Sequence, residues 1–235
     1  MDRNSAKTGN LLLDALDPEV RTSLLADTEH RGIEVWGEYV TVGQDVRSVF
    51  FPTSGTLSLL AEPDEETIVE AATIGREGAG DVFVALGALQ AAHRMIGQIE
   101  GEMFVVSADA ISECLSRDQR TKTLIFSYVQ AQYSQTALSA ACNAKHHVNQ
   151  RAARWLLQSH DRVDGDTFFL KQEFLAFMLG VTRPSVSLAA ETLQAAGLIG
   201  YVRGTITVRD REGLESVACA CYEQIRSVYS HLVHL

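Results

Sequence analysis

Apolar residues change their spacing several times along the chain, and each change predicts a different kind of element. Residues 10–26 carry leucines at helical intervals and predict a short amphipathic helix. From Ile33 to Val106 the apolar runs become short and β-rich: Val35-Trp36, Tyr39–Val42, Val49–Phe51, Thr56–Leu60, Thr67–Val69 and Met103–Val106. Turn signals separate them at Gly37, Gly43–Asp45, Pro52–Gly55, Pro63-Asp64, Gly75 and Gly78. That punctuation predicts a β-sandwich or barrel, and no repeat of fixed period appears.

A helical zone without proline follows from about Asp109 to Asp161. Within it Leu124, Tyr128, Ala131, Gln135, Leu138 and Cys142 alternate steps of four and three, a heptad seam. Small residues lie nearby (Ala137, Ser139, Ala140, Ala141, Ala144), so two helices could approach closely. The seam suits a helix lying on its own β-domain or a two-stranded dimer helix, and its length favours the dimer. The last segment predicts helices near 147–161, 171–179 and 183–196. A hairpin, Leu198–Val202 and Thr205–Val208, turns at Arg203-Gly204, and a final helix starts near Arg211. The expected class is α+β in three parts: a β-domain over 1–108, a dimerisation helix and linker over 109–146, and a helix-and-hairpin domain over 147–235.

The strongest local pattern is Leu170–Ile199. A first helix ends at Leu179-Gly180, where glycine suits a left-handed turn. Thr182 can cap the next helix, and Pro184 fits its first turn because no N–H is needed there. On a helical wheel Val186, Ala189, Ala190 and Leu193 face inward. Pro184, Ser185, Ser187, Leu188 and Glu191 face outward, with Arg183 at the edge. A short, small-polar face that begins with Arg suits a major groove. The hairpin supplies a wing, with Arg203 and Thr205 placed to reach phosphate. A helix-turn-helix followed by a wing predicts binding to double-stranded DNA.

A net charge of −10 opposes that reading until it is divided. Residues 1–144 hold 10 Lys+Arg against 21 Asp+Glu, whereas 145–235 hold 10 against 9. The acidity therefore sits away from the proposed DNA contact. The polar start of the chain and the lack of a long apolar span predict a cytoplasmic protein with no membrane partner.

Chemistry beyond DNA contact is sparse. The four cysteines form no CxxC pair, and Cys219 and Cys221, two apart in a predicted helix, are expected to point to different sides. No metal site is therefore expected. Neither a P-loop nor a nucleophile–base set occurs, so no enzyme activity is expected. A cupin-type metalloenzyme, the competing class for a β-barrel, needs a His-x-His that residues 33–106 lack.

Four segments together resemble the cyclic-AMP receptor protein/FNR (Crp/Fnr) family of transcription regulators, over about Leu11 to Leu232. They are Phe50–Gly55, Gly75-Arg-Glu-Gly78, Gln150–Leu157 and the 170–199 motif. Ala140–His147 also resembles the junction between dimer helix and DNA-binding domain in one branch. The resemblance implies a homodimer with an N-terminal β-roll (double-stranded β-helix) of cyclic-nucleotide-binding type, a long dimerisation helix and a C-terminal winged helix-turn-helix. RNA polymerase would be a partner if the protein is an activator. Carried over by position, the phosphate-contacting site falls on Lys171 and Gln172. The base-reading positions fall on Arg183, Pro184 and Leu188, within a DNA-facing set completed by Thr182, Ser185, Ser187, Arg203 and Thr205. Only Arg183 keeps the family's usual chemistry, so the operator should differ from the best-known family sites.

The resemblance also implies an effector pocket. Gly80-Asp81-Val82 matches the ribose-binding half of the cassette with a shorter acid. His93 falls where an Arg would meet the cyclic phosphate, Arg94 comes one residue late, and Thr136 on the long helix completes the set. One residue of slip on a strand turns a side chain to the other face, so Arg94 is expected to point away. Cyclic nucleotide and haem are the two cofactor classes such a scaffold could carry, and the residues favour neither. The N-terminal cysteine cluster of FNR-type iron–sulfur sensors is absent.

Overall fold

The computed structural model describes residues 7–26, 28–62 and 68–234, the side chains of 233 and 234 excepted. The Pro63-Asp64 turn, Thr67 and the first six residues lie outside the described residues.

The expected first helix is two, α1 (Leu11–Asp14) and α2 (Pro18–Leu25), because Asp17 caps a new start at Pro18 by accepting from the Glu19 N–H. Seven strands follow among the described residues: β1 (Glu29–Ile33), β2 (Glu38–Val40), β3 (Ser48–Pro52), β4 (Thr56–Ala61), β5 (Val69–Ile74), β6 (Arg94–Ile99) and β7 (Gly101–Ser107). They make two antiparallel sheets, ordered β1-β7-β3 and β2-β6-β4-β5. Ile33, Val40, Phe50, Leu57, Ile74, Met95 and Met103 fill the space between them. The expected β-roll is therefore present. Val35-Trp36 is not a strand, however: Trp36 sits in a turn with φ 67°.

The helical zone after β7 is interrupted twice. Asp118 is extended between α3 (Ala108–Arg117) and α4 (Gln119–Lys145), and its carboxylate accepts from the Thr121 N–H at 2.8 Å to start α4. His146 and His147 are extended before α5 (Val148–His160). Among the described residues no helix is long and apolar enough to cross a membrane.

The six-residue seam on α4 corrects the expectation of a dimer interface. Leu124, Tyr128, Ala131, Gln135 and Cys142 are buried within the chain itself, and Leu138 packs against the same core. The Tyr128 hydroxyl donates to the Ala79 carbonyl, Gln135 donates to the Thr73 carbonyl, and the Tyr229 hydroxyl donates to Gln135. A heptad repeat records only that one helix face is apolar, and here that face rests on the β-roll and the C-terminal helix. The opposite face carries a second four–three series, Phe126, Gln130, Tyr133, Ala137, Ala140 and Ala144, and all six are exposed.

The C-terminal segment contains β8 (Thr167–Phe169), α6 (Gln172–Leu179), α7 (Arg183–Ala195), β9 (Ile199–Val202), β10 (Thr205–Val208), α8 (Arg211–Val217) and α9 (Cys221–Ser230). The wing is a three-stranded sheet, β8-β10-β9, with β8 added to the expected hairpin. The final helix breaks at Ala218, whose backbone is extended. That break overturns the expectation that Cys219 and Cys221 diverge. Cys219 lies before α9 and Cys221 begins it, and both are buried against Cys142.

The C-terminal segment docks on the β-roll through one continuous core. Leu60, Ile96 and Ile99 of the roll pack with Trp155, Leu156, Phe174 and Met178. Gly75-Arg-Glu-Gly78 lies at this contact. A side chain at Gly75 would run into Arg162, and one at Gly78 into the Tyr128 ring. Buried Arg162 pairs with Glu77 at 2.5 Å and donates to the Thr73 hydroxyl at 2.6 Å. Arg76 pairs with Asp164 at 2.9 Å.

Candidate DNA-binding interface

The helix-turn-helix is built as its residues dictate. Gly180 ends α6 in the left-handed region at φ 59°, and its N–H bonds the Ala176 and Phe177 carbonyls. Thr182 stands at the N-cap of α7, with its hydroxyl 3.0 Å from that of Ser185. Val186, Ala189, Ala190 and Leu193 are buried on the inner face. That inner packing aims the other face of α7 at solvent.

On the outer face, Gln172, Arg183, Pro184, Ser187, Leu188 and Glu191 line one open groove of about 460 Å³. Leu188 is 65% exposed. Ser187 donates to the Gln172 side chain at 2.8 Å, which ties the outer face of α7 to the start of α6. Lys171 is exposed at the N-cap of α6. Arg203 and Gly204, at φ 51° and 85°, form the two-residue turn of the wing, with Arg203 exposed at its tip and Thr205 half-buried beside it. Reading by residue type did not find Glu173, which pairs with Arg183 at 3.1 Å. Its position one turn into the first motif helix, facing the start of the second, was the available signal. Arg151 was also missed. It is buried in α5 and donates to the Leu179 carbonyl at the motif's turn.

The effector set divides. Asp81, His93 and Thr136 line a cavity of about 310 Å³ with Phe83, Gln132 and Tyr133. Val82 instead points into the packed core, and Gly80 bonds through its backbone to Phe50. Arg94 faces away, paired with Glu38 at 2.8 Å and Glu62 at 3.3 Å. Burial pushes the Asp81 carboxyl up to about 6 and pushes His93 down. Asp81 Oδ1, His93 Nε2 and both polar atoms of the Gln132 side chain are buried without hydrogen-bond partners. Among the described residues no Lys or Arg lines the cavity, and His93 stands there in place of the expected arginine.

Residues 150–217 match the family described as the Crp-like helix-turn-helix domain. No curated protein matches the chain in sequence. Among solved structures, the chain is similar to FixK2 from Bradyrhizobium japonicum, with 14% identity and a TM-score of 0.69 over 82% of this chain and 98% of that one. It is also similar to a putative transcriptional regulator of the Crp/Fnr family from Eubacterium rectale, with 14% identity and a TM-score of 0.66 over 90% and 99% of the two chains. A CRP-family transcriptional regulator from Thermus thermophilus aligns at 16% identity and a TM-score of 0.66, over 80% and 96%.

Proposed function

From a Crp-like helix-turn-helix domain carried on the fold of Crp/Fnr transcription regulators, we propose that this chain binds specific double-stranded DNA as a homodimer. One observation carries the reading: Arg183, Pro184, Ser187 and Leu188 stand together on the solvent face of a helix whose other face is buried. Lys171 and Arg203 flank that face as phosphate contacts, with Gln172, Thr182, Ser185 and Thr205 around them. Arg183 reads guanine through O6 and N7, and Leu188 offers an apolar contact that suits a thymine methyl. The dimer forms along the exposed Phe126–Ala144 face of α4, where alanines permit close approach. The three-part division at 108 and 146 describes these roles: sensing roll, dimer helix, DNA-binding unit.

The cavity at Asp81, His93, Gln132 and Thr136 is the effector site in this reading. Asp81 Oδ1 and His93 Nε2 lie 3.7 Å apart, too far for a hydrogen bond, and with the Gln132 side chain they suit a ligand that gives and takes hydrogen bonds. If the protein activates transcription, RNA polymerase is its further partner.

The test is selection of bound sequences from a random duplex pool by the full chain, followed by titration of the recovered site. Arg183→Ala should lose about 1–3 kcal/mol on that site and relax one base position. Equal affinity for the selected site would show that α7 does not read it. Lys171→Ala should weaken all duplexes alike and reduce the salt slope by about 1.

A further inference from the structure

The break at Ala218 assembles four metal-ligating side chains, none of which lines the groove on α7. Cys142 and His146 are one turn apart at the end of α4, and Cys219 and Cys221 flank the start of α9. Their ligand atoms all lie within 4.8 Å of one another, and the three cysteines are buried. The Cys142 and Cys219 sulfurs are 3.5 Å apart, and Cys221 Sγ is 3.6 Å from His146 Nδ1. A tetrahedral zinc site with Zn–S of about 2.3 Å and Zn–N of about 2.05 Å has edges of about 3.8 Å and 3.6 Å. The cluster already has nearly the dimensions of such a site. A disulfide between Cys142 and Cys219 would need the sulfurs at about 2.05 Å.

The surroundings suit the charge of a metal thiolate. Arg151 and Arg154 are buried, both interact electrostatically with Cys142, and among the described residues neither forms an ion pair within 4 Å. Three thiolates, one neutral imidazole and a divalent cation sum to one negative charge, which these guanidinium groups can offset. Hard oxygen-seeking cations such as magnesium and calcium are disfavoured by three sulfur ligands, whereas zinc is favoured.

We propose that Cys142, His146, Cys219 and Cys221 bind one zinc ion per chain. Binding forms three Zn–S bonds and one Zn–N bond and releases up to three thiol protons to solvent. The ion clamps the end of α4 to the start of α9, beside the extended His146-His147 link that leads to the DNA-binding unit. Arg151 connects this site to the Leu179 carbonyl in the helix-turn-helix. The proposal does not depend on DNA binding.

The experiment titrates Co²⁺ into the reduced, chelator-stripped full chain. Saturation at one equivalent is expected, with tetrahedral ligand-field bands, a thiolate-to-cobalt charge-transfer band and loss of both on adding Zn²⁺. Cys142→Ser and Cys219→Ser should bind at least tenfold more weakly, and His146→Ala should shift the ligand-field bands. Cys114→Ser, outside the cluster, should titrate like the parent. Should the cluster variants fail to fold, alkylation of the parent chain decides: zinc should protect Cys142, Cys219 and Cys221 and leave Cys114 unchanged. The proposal is overturned if no charge-transfer band appears, if zinc protects no thiol, or if the anaerobically purified chain carries a Cys142–Cys219 disulfide.

Discussion

Glu70 of β5 receives hydrogen bonds from Ser58 at 2.8 Å, Gln98 at 2.6 Å and the Trp155 indole at 3.1 Å, all beneath the surface. These donors and Arg154 favour the carboxylate, but burial outweighs them and pushes the group up to about 7 from 4.5. The folded state therefore holds this proton where the unfolded chain has released it. Its contribution to stability is complete below about pH 4.5 and is lost as pH rises through 7, by about 3 kcal/mol at most. Asp81, pushed up to about 6, slopes in the same direction. Urea unfolding between pH 4.5 and 8 should show this decline in the parent chain and a shallower one in Glu70→Gln. An identical slope in the variant would place the titration elsewhere. At Gly78 the constraint is steric. Gly78→Ala would press a methyl onto the buried Tyr128 ring and should cost about 1–3 kcal/mol, read as a lower urea midpoint.

Between residues and molecule, α4 shows what a pattern can and cannot say. Two four–three series run along it, one buried in the chain and one exposed. Leu138→Glu should therefore unfold or destabilise the chain, whereas Ala137→Glu should leave the fold intact and, on the proposed dimer, halve the sedimentation mass. A dimeric Ala137→Glu protein would move the interface off this face. The helix-turn-helix and wing were legible because their signals are local: a left-handed glycine, a cap, a proline at the first turn and a two-residue hairpin. The β-roll was legible as a class from its punctuation, although polar β1 (Glu29–Ile33) escaped because four of its five residues are exposed. Cys142–His146 has the spacing of two ligands on one helix face, a signal present in the chain. Its completion needed the break at Ala218, where no glycine or proline marks the end of α8.

At the scale of the molecule, the roll and the DNA-binding unit meet in one core instead of across a hydrated joint. Leu60, Ile96 and Ile99 share it with Trp155 and Phe174, and the Arg162–Glu77 pair closes its edge. Thermal unfolding should accordingly be a single transition by both far-UV and near-UV circular dichroism. Two separated transitions would show that the halves melt independently.

That shared core ties the lifetime of one half to the state of the other. A small molecule that fills the cavity at Asp81 and His93 would, if the chain unfolds as one unit, stabilise all of it by mass action, including α7, which it does not touch. Limited proteolysis should then cut α7 more slowly as the cavity fills. Inside a cell, where proteases remove opened chains, a ligand at the proposed effector site would also set how many copies of the protein survive.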